Sequence, residues 1–213
     1  MTSLAVSSGA ASTHLPWLWL VSRGSGLTLL VLFTAVLVLG IGTRLGTSSS
    51  AVPRFAVAEL HRTLALFAVA MLMLHVATAV LDPYVSIGWW ATIVPFGSHY
   101  RPLALGLGTL AVDLGAAVVL TSLARRRLGH RLWRAVHWLA YLSWPLAFMH
   151  AVSAGTDMRV WWVAAVVWGS ASAVAVAVGA RVLSGRRRDR GGQSPVSAPS
   201  ARRELESARI GGR

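Results

Sequence analysis

Five stretches of this chain are too long and too apolar to be carried in water as ordinary helices or strands. They cover residues 15–41, 57–81, 102–123, 132–154 and 160–183. A helix rises 1.5 Å per residue, so about 20 residues cross a hydrocarbon core of about 30 Å. Lipid offers no hydrogen-bond partners, so each span must pair its own N–H and C=O groups, and a helix does this within one segment. The expected fold class is all-α: a polytopic membrane helix bundle of about five transmembrane helices. Composition agrees, with 55% of the 213 residues hydrophobic and 13% charged. The mean hydropathy is +0.60, well above that of a soluble domain.

No Lys or Arg precedes Arg23. The first segment therefore lacks the positive opening of a signal peptide and reads as a mature helix. The expected division is a short extracytoplasmic N-terminus over 1–14, a transmembrane domain over 15–184, and a tail over 185–213. That tail, "GRRRDRGGQSPVSAPSARRELESARIGGR", is polar, charged and rich in Gly, Pro and Ser, and reads as disordered and cytoplasmic.

The net charge is +13, and all 20 basic residues are arginine. Such a balance can signal nucleic acid, but the arginines lie beside the apolar segments and in the tail. Arg44 and Arg54 follow the first span, "ARRRLGHRLWR" joins the third and fourth, and eight more follow Ser184. The other side carries "LDPYVSIGWWATIVPFGSHYR" and "SAGTDMR". Positive loops stay in the cytoplasm, so the N-terminus is expected outside and the C-terminus inside. No nucleic-acid partner is expected; the partner is the lipid bilayer. Trp17, Trp19, Trp89, Trp90, Trp133, Trp161 and Trp162 fall where an interfacial aromatic belt should lie. The arginine-only, alanine-rich usage suits a high-GC genome, and the expected location is a bacterial plasma membrane. No GxGxxG or P-loop pattern occurs, so no fused nucleotide-binding domain is expected.

Two spans carry a histidine near each end: His61 and His75 in the second, His137 and His150 in the fourth. Ionisable groups inside a membrane are costly and are functional candidates. Fourteen residues place His61 and His75 within about 40° on one helix face and about 21 Å apart along it. Ala65 and Ala68 share that face, leaving room for a flat macrocycle. His137 and His150 are thirteen residues apart, at nearly matching heights. On a straight helix their rings would diverge by about 140°. Pro145 lies between them and is expected to kink the helix. Two stacked pairs of imidazoles suit haem, whose iron takes an axial ligand on each face. A single zinc site fits less well, since the pairs are far apart and no carboxylate stands beside them. The chain has no cysteine, so thiolate zinc sites, iron–sulfur clusters and covalently attached haem are excluded. His14, His99 and His130 fall outside the spans and read as surface or interface residues.

With these histidines in place the chain resembles the ferric reductase-like transmembrane domain family. That family includes the membrane parts of NADPH oxidases and ferric reductases, and the haem-bearing membrane subunit of the periplasmic methionine sulfoxide reductase system. The likeness runs over about residues 17–182. It rests on "SRGSGL", "LHRTLALFAVAMLMLH", "RPLALGLGTLAVDLGAAVVLTS" and "LGHRLWRAVHWLAYLSWPLAFMH". The resemblance implies two non-covalent b-type haems, an inner one ligated by His61 and His137 and an outer one by His75 and His150. It implies electron transfer to an extracytoplasmic acceptor such as ferric iron or a redox protein, as the membrane component of an oxidoreductase. Set beside the oxidase members, the chain is expected to lack their first helix and their cytosolic flavin domain. The expected donor is therefore a separate flavoprotein or a quinol, and FMN has a place among the cofactors. Arg62 and Arg134 flank the inner pair and are candidates for haem propionates, as is Arg101 near the outer loop. Tyr141 and Trp144 lie between the two levels and are candidates for shortening electron hops. Asp113, mid-span in the third helix, is expected to be protonated, paired or water-linked, with either a hydrogen bond to another helix or a proton-handling role. Two other readings stay open: a quinol-linked cytochrome with its own quinone site, and a non-redox membrane scaffold or metal-handling protein.

Overall fold

A computed structural model describes residues 16–45, 53–83, 87–155 and 157–191. The regular structure among them is all helical. In chain order the helices are α1 (Pro16–Leu45), α2 (Arg54–Leu81), α3 (Pro102–Leu123), α4 (Arg125–Leu128), α5 (His130–His137), α6 (Ala140–Ala154) and α7 (Trp161–Gly191). Short 3-10 turns occupy Trp89–Thr92 and Asp157–Arg159. The expected N-terminal segment 1–14 and most of the expected tail lie outside the described residues. The described part of that tail, up to Gly191, continues α7 as helix rather than forming a separate unit.

Four helices are long and apolar enough to cross a membrane, over Trp17–Thr43, Phe55–Leu81, Pro102–Leu123 and Trp161–Arg186. The expected fifth span, 132–154, is not one helix. It is α5 and α6, joined at Trp138 and Leu139. The amides of Leu139, Tyr141 and Leu142 donate to carbonyls three residues back instead of four, and ψ is −20° at both Trp138 and Leu139. The backbone is wound here as a 3-10 helix. Pro145 sits one turn further on. It brings no N–H, and its ring crowds the carbonyl of Tyr141, so the tightened turn lies upstream of it while α6 runs through the proline.

This joint shifts the phase of the fourth segment. A 3-10 helix turns about 120° per residue, about 20° more than an α-helix. The tightened residues therefore recover part of the mismatch of about 140°, in the direction that brings His150 back towards His137's side.

The bundle has a dense half and an open half. In the dense half, Leu37 and Ile41 of α1 and Trp144 of α6 are buried, with Phe33, Phe148, Ala171, Val174 and Val178 packed round them. On the face of α6 that carries His150, Ser143 Oγ donates to Ala111 O of α3 at 2.8 Å. Trp144 Nε1 donates to Thr34 Oγ1 of α1 at 3.0 Å. In the open half, α2 packs on α1 while α3 packs on α6. Between these two layers lies the space that positions the histidines.

Candidate cofactor site

The histidine rings meet in pairs across that space. His61 of α2 faces His137 of α5 with ring centres 6.5 Å apart. His75 of α2 faces His150 of α6 at 6.3 Å. Edge-to-face rings also reach such separations, but these pairs border one cavity. Two imidazoles binding one metal from opposite sides, each through nitrogen at about 2.0–2.1 Å, would stand with ring centres roughly 6 Å apart.

The nitrogen facing the gap is set by what the other one does. His61 Nδ1 is 3.0 Å from Val36 O, His75 Nδ1 is 2.8 Å from Ser22 O, and His150 Nδ1 is 2.7 Å from Ala104 O. A carbonyl can only accept, so each of these Nδ1 atoms carries the proton and donates. The tautomer is thereby fixed, and Nε2 keeps its lone pair. Metal-binding histidines are commonly oriented in this way.

Each of these three contacts repeats one local device. The accepting carbonyl lies four residues before a glycine: Ser22 before Gly26, Val36 before Gly40, Ala104 before Gly108. Within the helix that carbonyl already accepts from the glycine's own N–H, and its second lone pair takes the imidazole. A side chain at the glycine would block the ring. A Cβ on Gly108 would come within 2.7 Å of the His150 ring, one on Gly26 within 2.8 Å of His75, and one on Gly40 within 3.3 Å of His61. Gly26 and Gly40 are fourteen residues apart, the same spacing as His61 and His75, as antiparallel helices in constant register require. That matched spacing was a signal available in the sequence, and the reading from residue types alone passed over it.

The paired rings border one continuous cavity of about 1780 Å³. Small-molecule pockets usually enclose about 300–1,000 Å³, so this one has room for more than one large ligand. Ala65 and Ala68 line it, as their place on the histidine face of α2 predicts. Arg62, Arg134 and Arg101 also reach it. Arg134 has a partner already, lying 2.8 Å from His130 Nε2, and Arg101 Nη1 donates to Ala154 O at 3.3 Å.

Three further residues were not singled out by the sequence for this site. Arg23 lines the cavity and pairs with Asp157 at 3.2 Å. Arg181 lines it from α7, donating to Tyr141 Oη at 2.9 Å and covering the Trp138 ring. Trp133, expected in the interfacial belt, lies with its ring centre 5.1 Å from that of His137 and lines the cavity. Of the two aromatics expected between the histidine levels, Tyr141 borders the cavity. Trp144 faces the opposite way, into the dense half.

Among the described residues no group of three or more His, Asp or Glu side chains converges on a point. A bare ion held by one ring pair would be left with two protein ligands, half of what zinc takes. A planar group that brings four ligands of its own, and needs just one above and one below, fits what is here. The residues present therefore fit haem. Comparison with protein families, with curated proteins and with solved structures finds no match to this chain.

Proposed function

We propose that this chain is a two-haem b-type membrane cytochrome of the ferric reductase-like kind. On this reading it lies in a bacterial plasma membrane, N-terminus outside and C-terminus cytoplasmic. It carries electrons from a cytoplasmic flavoprotein or a quinol to an extracytoplasmic acceptor, ferric iron or a redox protein. The observation that carries the reading is the pair of ring gaps, 6.5 and 6.3 Å, at two levels of one cavity. When bound, each haem would supply a one-electron iron couple.

The chain's own part is to hold and tune. His61 and His137 would hold the inner group, and His75 and His150 the outer one. The carbonyls of Val36, Ser22 and Ala104 keep His61, His75 and His150 in the ligating tautomer. They also raise the basicity of the ligating nitrogens, which favours the oxidised iron. Arg62 and Arg134 at the inner level, and Arg23 and Arg101 elsewhere on the wall, supply positive charge for propionates. The apolar remainder of the wall excludes water and keeps the dielectric low. FMN, if this chain uses it, has no residues assigned to it.

The test is haem content, with a reduced-minus-oxidised absorbance spectrum, on detergent-purified protein from haem-replete cells. Two b-type haems per chain are expected. His75→Ala is expected to leave one, with the inner signal intact. A colourless preparation would sink the redox reading in favour of a scaffold or metal-handling role. Equal loss of both signals in His75→Ala would overturn two independent sites.

A further inference from the structure

Asp113 stands apart from everything described so far. It lies mid-way along α3, between Val112 and Leu114, and is half-buried. Taking about 100° per residue, it points about 180° away from Ala104, which bonds His150 of α6. It points away from Ala111 too, the acceptor of Ser143. The cavity wall includes Ala111, Val112 and Gly115 but not Asp113. Towards one end of α3, the same outer side is covered by the loop before the helix: Phe96 lies on Gly106, and Thr109 Oγ1 donates to Ala91 O at 2.7 Å. Beyond that cover the side opens. Ala116 is exposed, and Leu120 is 63% exposed. The hydrogen bond from Asp113 to another helix of the bundle, expected from the sequence, is not found among the described residues.

A lone carboxyl facing hydrocarbon in mid-span is expensive. Charge is not sustained there, so the group is neutral, with one O–H donor and free acceptor positions. A neutral carboxyl is self-complementary: two of them can exchange two hydrogen bonds. Copies of one chain insert with the same orientation, so a twofold axis along the membrane normal sets α3 parallel to α3. Asp113 then meets Asp113 at equal depth without further adjustment. Ala116 and Ala117 beside it let the backbones approach, as small residues do at membrane helix contacts. The geometry points to a homodimer in which α3 packs on α3 across Asp113. This contact is independent of the haem reading.

The chain has no cysteine, so single cysteines report proximity cleanly. The experiment is oxidative crosslinking, in native membranes, of full-length Ala117→Cys. Phe67→Cys, on the exposed face of α2, serves as the comparison. Ala117→Cys is expected to give a disulfide-linked homodimer several-fold more than Phe67→Cys. Adding Asp113→Asn, whose amide also pairs with itself, is expected to preserve the crosslink. Adding Asp113→Leu is expected to abolish it, with helix content checked by circular dichroism. Equal crosslinking at Ala117→Cys and Phe67→Cys would overturn the dimer, as would an undiminished crosslink in Asp113→Leu. A crosslink from Ala117→Cys to a different protein would replace self-pairing with a foreign helix.

Discussion

The α5–α6 segment presents two faces to its neighbours, and the chain treats them in opposite ways. On one, Trp144 fills the space against α1 and α7, and its indole N–H is satisfied by Thr34. On the other, His137 and His150 hold their rings short of α2, and glycines clear the approaches to three of the four histidines. In lipid the hydrophobic effect does not press helices together, so packing and hydrogen bonds must do it. The dense face shows that this sequence can supply both. The open face is then not poor packing. His150 is fixed in orientation by the Ala104 carbonyl, as the proposed cofactor site requires.

The sharpest way to break that contrast is to fill the space a glycine clears. Gly108→Val puts a branched side chain where a single Cβ already comes within 2.7 Å of the His150 ring. The ring must leave the Ala104 carbonyl, and with it the position proposed for ligation. Outer haem is expected to fall at least about tenfold, a change of about 1.4 kcal/mol in binding, with the inner haem kept. Gly169→Val and Gly179→Val on α7, where nothing lies within 4 Å, are expected to retain both haems. If Gly108→Val binds two haems normally, the glycine device does not set the site.

The helical class, four of the spans and the level-matching of the histidines were legible in the sequence, because each rests on a local pattern. Length and apolarity decide a span, and 3.6-residue periodicity decides a face. What was not legible depends on the partner helix. The joint at Trp138–Leu139 could not be placed from Pro145 alone, since a proline says that the ladder is disturbed but not on which side the strain is relieved. Trp133 was expected in the interfacial belt and Trp144 between the histidine levels, yet one lies against His137 and the other enters the core. That choice is made by the rotation of α5 and α6 about their joint. Arg181 was hidden for the same reason: its role appears once α7 lies beside Tyr141.

The dense face should respond differently. Trp144→Ala removes the largest side chain of that core and leaves a hole that rigid helices cannot close. The expected cost is on the order of 3 kcal/mol of unfolding free energy, measured by denaturation in mixed detergent micelles. The folded fraction is expected to keep both haems at normal stoichiometry, because Trp144 does not itself line the cavity. Loss of haem in step with Gly108→Val would mean that the two faces are one cooperative unit and that the contrast is false.

Thr34→Val refines the same contrast at its smallest scale. Valine keeps the shape of threonine and removes the oxygen that accepts from Trp144 Nε1 at 3.0 Å. Thr34 Oγ1 also donates to Leu30 O at 2.8 Å, but that carbonyl keeps its helical partner. The loss is therefore the indole's acceptor alone. Interhelical side-chain hydrogen bonds in membranes average about 0.6 kcal/mol, so a destabilisation of about that size is expected, with haem content unchanged. Thr34→Ser retains the oxygen and should recover most of it. A loss several times larger, restored by serine, would mean that the α1–α6 seam is held by this one bond rather than by shape. The dense face would then resemble the open one, a place where a single polar contact sets the geometry and the packing follows.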